Sequence, residues 1–236
     1  MSAAPFASIL SDQWRLLTFR NPSPAIRDHG RAYLAFGLGC TWLAGIGRYW
    51  DNPKAHLWQH AGLGSIVYVF VLALLLYLLL MPLRPRNWSY RNVLLFITLT
   101  SLPALLYAIP VERFMPLTTA QAVNAGFLGV VALWRVALLF VFLRRVARLG
   151  GFTIVVALLL PIVIIVVALT ILNLEHVVFD IMAGIREQDR SPNDTAYLTV
   201  LWISLFSIYA APFLIIAYAG LATWAWIKHR RQANSP

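Results

Sequence analysis

His56 and His60 stand four residues apart in DNPKAHLWQHAG, the spacing that puts two imidazoles on one face of a short helix, as metal-ligating histidines are placed. His176 would supply a third nitrogen. With Glu175 or Asp180 these residues outline a metal-dependent hydrolase site at the outer membrane face. The pair has no HExxH context, and without a metal the two histidines read as polar loop residues near headgroups. A second grouping is electrostatic. Arg135 stands alone in the apolar run VNAGFLGVVALWRVALLFVFL, while Glu112, Asn173, Glu175, His176 and Asp180 collect at the ends of neighbouring runs. Together these six form a candidate binding set. No P-loop, GxSxG, GxGxxG or intramembrane aspartate pair is present, so neither catalysis nor a cofactor is expected.

The elements that would carry these residues are hydrophobic runs. The chain has 236 residues, 60% hydrophobic and 12% charged, with mean hydropathy +0.73. A soluble domain is about 45–50% apolar and ~25% charged, so the excess belongs in lipid. The sequence predicts an all-α, polytopic membrane helical bundle with six transmembrane helices: 32–50, 62–83, 92–110, 123–143, 151–172 and 196–227. Residues 1–31 form an N-terminal segment and 228–236 a tail. A run of about twenty residues crosses a ~30 Å hydrocarbon core.

The formal charge of +10 would raise the question of nucleic acid in a soluble protein. Its distribution answers otherwise. With both termini inside, the inner segments hold 13 basic residues: Arg15, Arg20, Arg27, Arg31, Arg84, Arg86, Arg91, Arg144, Arg145, Arg148, Lys228, Arg230 and Arg231. The outer segments hold 5: Arg48, Lys54, Arg113, Arg186 and Arg190. This bias sets an N-in, C-in orientation. The expectation is a multi-pass protein of a bacterial inner membrane, in contact with the lipid bilayer and with a membrane protein partner or its own copies, and with no nucleic acid. Cys40 is the one cysteine, which excludes an internal disulfide and leaves it as a small packing residue.

Local patterns add detail. Phe6, Ile9, Leu10, Trp14 and Leu17 share a helical face, which predicts a helix lying in the cytoplasmic interface. Gly37, Thr41 and Gly45 recur every four residues, the spacing that lets membrane helices approach closely. Pro103, Pro161 and Pro212 leave the carbonyls of Leu99, Ala157 and Ile208 without their helical donors, and in a bilayer each needs another. Arg135 lies roughly 18 Å from Val123 and roughly 12 Å from Leu143 along its helix. It either snorkels towards Arg144 and Arg145 or faces the bundle interior and donates to carbonyls freed by proline. The interior is preferred, with Ala132 one turn earlier leaving room. After Leu172 the helix can run on through NLEHVVFDIMAGIREQ, with Leu174, Val178, Ile181 and Met182 as an apolar stripe.

From the third run to the fifth the chain resembles bacterial Yip1-like membrane proteins. The resemblance rests on Ser101 and Pro103, on Trp134 in VALWRVALLFVFLRRVARLGG, and on the following apolar run with Pro161. It covers about a third of the chain and implies a compact helical bundle with a cytoplasmic N-terminus. It implies no site residue. The expected function is a non-catalytic membrane protein that organises lipids or partners. Alternatives are a small transporter built on three-plus-three inverted repeats, with PALLYA and PFLIIAYA at matching places, and the metal-dependent hydrolase above.

Overall fold

The small-residue stripe is the seam of the bundle. A computed structural model describes residues 6–50, 56–174, 178 and 195–233, and among these the ordered elements are all helical. Gly37, Thr41 and Gly45 are buried in helix α3 (Gly30–Gly47). A Cβ on Gly37 would lie 2.7 Å from Thr98 Oγ1, and one on Gly45 would lie 2.8 Å from the Gly62 carbonyl oxygen and the Ser65 side chain. The stripe therefore brings α3 against two neighbours, α6 (Tyr90–Leu99) and α5 (Leu63–Leu80). Gly62 has φ of +67°, and a Cβ there would meet Trp42 O at 2.8 Å. A left-handed residue under a crossing backbone leaves room for glycine alone.

The chain runs α1 (Phe6–Leu17), α2 (Ala25–Asp28), α3, α4 (Leu57–His60), α5, α6, α7 (Leu117–Arg145), α8 (Gly151–Ile171) and α9 (Thr195–Ala233). Four segments are long and apolar enough to cross a membrane: Leu63–Leu83, Ala122–Arg145, Gly151–Ile171 and Leu198–Arg231. α6 and the 3₁₀ segment Leu102–Ala108, bent by 41°, make a fifth when counted as one span. The chain is thus a multi-pass membrane protein. α3 is not among these spans, because Arg31, Tyr33 and its glycines dilute its apolar content.

Pro103 breaks its helix, whereas Pro161 and Pro212 sit inside the unbroken helices α8 and α9. The difference lies in the neighbours. Thr98 and Thr100 return their hydroxyls to carbonyls one turn back, and Ser101 Oγ donates to Thr98 O at 2.7 Å. Side chains that compete for backbone groups weaken the helix where the proline has already removed a donor. The single helix expected over 92–110 is therefore two arms. The matching breaks of an inverted repeat do not appear either, since only the first of the two prolines interrupts its helix.

α8 also ends sooner than expected. Asn173 takes φ of +54°. Its amide donates to Thr170 O at 3.0 Å and that of Leu174 to Leu169 O at 2.8 Å, the paired bonds of a left-handed helix stop.

Three apolar clusters fill the bundle. Val69, Ala73, Leu76, Val93, Leu94, Phe96, Ile97 and Leu138 pack centrally around Leu17. Leu80, Leu83, Leu143, Ala147, Ile154, Ala157 and Leu158 join α5, α7 and α8 at the arginine-rich end. Ile9, Tyr33, Leu95 and Leu99 seat α1. α9 packs along α8 and reaches α5 through Tyr218, whose hydroxyl donates to Leu79 O at 2.7 Å.

Gly37→Val should cost about 1–3 kcal/mol by overpacking the α3–α6 seam. Gly39→Val, where a Cβ meets nothing within 4 Å, should stay within about 0.5 kcal/mol of the parent. Thermal melting of the two proteins in a mild neutral detergent measures the contrast; equal melting temperatures would remove Gly37 from the seam.

Candidate functional site

α1 is helical as the periodicity predicts, and it docks on the bundle largely through its polar side. Ile9, Asp12, Gln13 and Leu17 are buried, while Phe6, Leu10 and Trp14 are 64%, 45% and 68% exposed. The polar residues dock and most of the apolar stripe faces out. That arrangement suits a helix bedded in lipid better than one resting on water. Each docked polar group has a named partner. Gln13 Nε2 donates to Leu99 O at 3.1 Å, the carbonyl that Pro103 leaves without a helical donor, and lies 3.8 Å from Cys40 Sγ. Asp12 accepts from the Ser23 amide at 2.8 Å, the Ser23 hydroxyl at 2.5 Å and the Tyr33 hydroxyl at 2.6 Å. Burial pushes the Asp12 carboxyl up, but the Ser23 and Tyr33 hydroxyls, the Ser23 amide and the Arg15 charge outweigh it and hold the group below its ordinary value. Trp134 Nε1 donates to Leu17 O at 3.0 Å, and Arg145 donates to Phe19 O. Phe19 has φ of +62°, an unfavourable conformation for a bulky residue that the Arg145 bond helps to hold.

Within the bundle lies a cavity of about 610 Å³, within the ~300–1,000 Å³ range of small-molecule sites. α3 supplies Thr41, Ala44, Gly45 and Arg48; α5 supplies Val67, Tyr68 and Val71; the bent arm supplies Ala104 and Tyr107; α7 supplies Val131 and Arg135. Its inner end is closed by buried hydroxyls: Thr41 Oγ1 lies 2.9 Å from Gly37 O and 3.0 Å from Ser101 Oγ. The Arg48 guanidinium lies 4.8 Å over the Tyr107 ring, and both arginines act electrostatically on that tyrosine. Among the described residues the lining holds two guanidiniums and no carboxylate.

Arg135 thus faces the interior, as preferred from sequence, but not for the reason anticipated. The freed Leu99 carbonyl is taken by Gln13, and Arg135 lines the cavity instead. Its inward neighbour is the buried Val131, whereas Ala132 is exposed. Arg48, placed by sequence as an outer-loop charge, joins it. The bend after Leu99 swings Tyr107 beneath Arg48, and sequence spacing alone does not reveal that.

Of the other sequence candidates, Asn173, His56 and His60 do not line this cavity. Asn173 is the residue that stops α8. His56 is exposed and precedes α4, where its amide donates to Gln59 Oε1 at 2.7 Å; His60 ends the same short helix. Among the described residues no three His, Cys, Asp or Glu side chains could hold one metal ion. Glu175, His176 and Asp180 lie outside the described residues, as does the side chain of Glu112. Arg113 stacks over the Trp50 ring at 4.9 Å. Trp50 in turn donates to Ala108 O at 2.9 Å and holds the bent arm to the end of α3.

Comparison with family models, curated proteins and solved structures finds no match to this chain.

Gln13→Leu keeps the volume of the side chain but removes the donor to Leu99 O. It should cost about 1–3 kcal/mol for the stranded carbonyl, while Trp14→Ala, on the outward face, should cost far less. Melting temperatures and the rate at which protease clips the N-terminal segment measure both; a Gln13→Leu protein as stable as its parent would show that the bond adds nothing.

Proposed function

We propose that this chain is a non-catalytic integral membrane protein that organises lipids or partners by holding an anionic group in the bundle, between Arg48 and Arg135. One observation carries the reading: a chamber of about 610 Å³ with two guanidiniums and, among the described residues, no carboxylate. A lone arginine in mid-span costs about 2.5–3.5 kcal/mol on insertion scales. Retaining that cost, with a second arginine on the same chamber, makes sense when a counter-charge arrives from outside the bundle. In this reading α3 and the bent pair both cross the bilayer, giving six spans with both termini inside a bacterial inner membrane. The 13-to-5 distribution of basic residues supports that orientation. The Yip1-like resemblance of the third to fifth runs is part of the same proposal and assigns no residue a role.

The anion seat is tested by melting the detergent-purified protein with inorganic phosphate and with an alkyl phosphate. At least one should raise the melting temperature of the parent. Arg135→Leu and Arg48→Gln should fold and lose most of that rise. A parent indifferent to both anions, or variants that respond like the parent, would overturn the reading.

The orientation is tested separately in a Cys40→Ala background. A membrane-impermeant maleimide applied to intact cells should label His56→Cys and spare Arg86→Cys, both exposed positions. The opposite pattern would invert the topology.

A further inference from the structure

The walls of the Arg48–Arg135 chamber differ in exposure, and the difference points to how its occupant enters. The α3 and α7 sides present buried Thr41, Ala44, Gly45 and Val131. The α5 side presents Leu63, Val67, Tyr68 and Val71, which are 52%, 61%, 50% and 59% exposed. Leu63, Val67 and Val71 follow one another at four-residue intervals, so they form a continuous ridge along a membrane-crossing helix. Towards the arginine-rich end Val69, Ala73 and Leu76 of α5 belong to the same closed core as Leu138 of α7. Val69 also lines the chamber, and within one turn of Leu138, at Arg135, the chamber has begun. The exposed part of its lining therefore runs along an apolar helix on the flank of the bundle.

We propose that the occupant is an anionic amphiphile drawn from the bilayer, with its phosphate or carboxylate between Arg48 and Arg135 and its alkyl chain lying on the Leu63–Val67–Val71 ridge. This rests on the anion-seat reading and names the class of ligand. The chemistry of each part matches. A guanidinium offers paired donors to phosphate or carboxylate oxygens. Tyr68 and Tyr107 have an apolar body and a polar tip, which suits the join between headgroup and chain. The valine ridge offers no hydrogen bond and suits a methylene chain. A free inorganic anion would use the arginines but leave the ridge without a purpose. A lipid uses both, and crosses no polar barrier to arrive.

The two sources of the anion are separated by comparing decyl phosphate, inorganic phosphate and decyl maltoside as additives to protein purified in dodecyl maltoside. The reading is the concentration that gives half of the maximal rise in melting temperature. Decyl phosphate should act at a concentration at least about tenfold below that of inorganic phosphate, since burial of two methylenes alone supplies such a factor. Decyl maltoside should give no rise. Arg135→Leu should lose the decyl phosphate response. Val71→Trp, which fills the flank at an exposed position and so should fold, should weaken decyl phosphate while leaving any inorganic phosphate response unchanged. Equal potency of the two phosphates would overturn the lipid inference and leave the anion seat standing. So would a Val71→Trp protein that binds decyl phosphate like its parent. No response to either phosphate would overturn both, and a response to decyl maltoside as large as to decyl phosphate would show that chain burial alone was measured. Should Arg135→Leu fail to fold, Arg48→Gln gives the same comparison at the second arginine.

Discussion

One backbone carbonyl organises much of this molecule. Pro103 has no amide to return to Leu99, and in a bundle solvated by lipid an oxygen without a donor is expensive. Gln13 supplies the donor from a helix 86 residues away in sequence. That bond helps seat α1 among Tyr33, Leu95 and Leu99. The same interruption, reinforced by the hydroxyls of Thr98, Thr100 and Ser101, turns the chain by 41°. The turned arm carries Ala104 and Tyr107 to the chamber that Arg48 and Arg135 share. The docked N-terminus and the chamber are thus two consequences of one local break.

The bundle obeys the solvent rule of membranes, not that of water. α1 buries aspartate and glutamine and shows phenylalanine, leucine and tryptophan outward. α3 uses glycine and threonine to meet its neighbours backbone to backbone, because apolar burial gives helices little reason to associate when lipid is as apolar as leucine. Polar groups do the joining: Tyr218 to Leu79, Trp134 to Leu17, Trp50 to Ala108 and Tyr33 to Asp12. Arg48 and Arg135 are the exception, cations in a chamber without a matching acid among the described residues.

Several features were legible from residue order because they depend on neighbours along the chain. The apolar runs, the helical character of residues 6–17, the need of the Leu99 carbonyl for another donor and the close-packing role of Gly37, Thr41 and Gly45 all follow from period, proline and side-chain size. Local chemistry also misled. The stretch after Leu172 continues the apolar stripe, yet Asn173 adopts the left-handed conformation and ends the helix. The i, i+4 spacing of His56 and His60 suggests a shared face, yet the helix between them is four residues long and gathers no third ligand among the described residues.

What the sequence determined by itself is that the chain belongs in a membrane and where four of its apolar helices run, since composition and periodicity are summed along the chain and need no partner. Which donor satisfies Leu99, which face of α1 is buried, and that Arg48 shares a chamber with Arg135 were decided only by the tertiary structure. Each of these is a pairing between distant segments. A pairing is settled by which groups the packed helices bring within reach, and spacing along one helix carries no record of that.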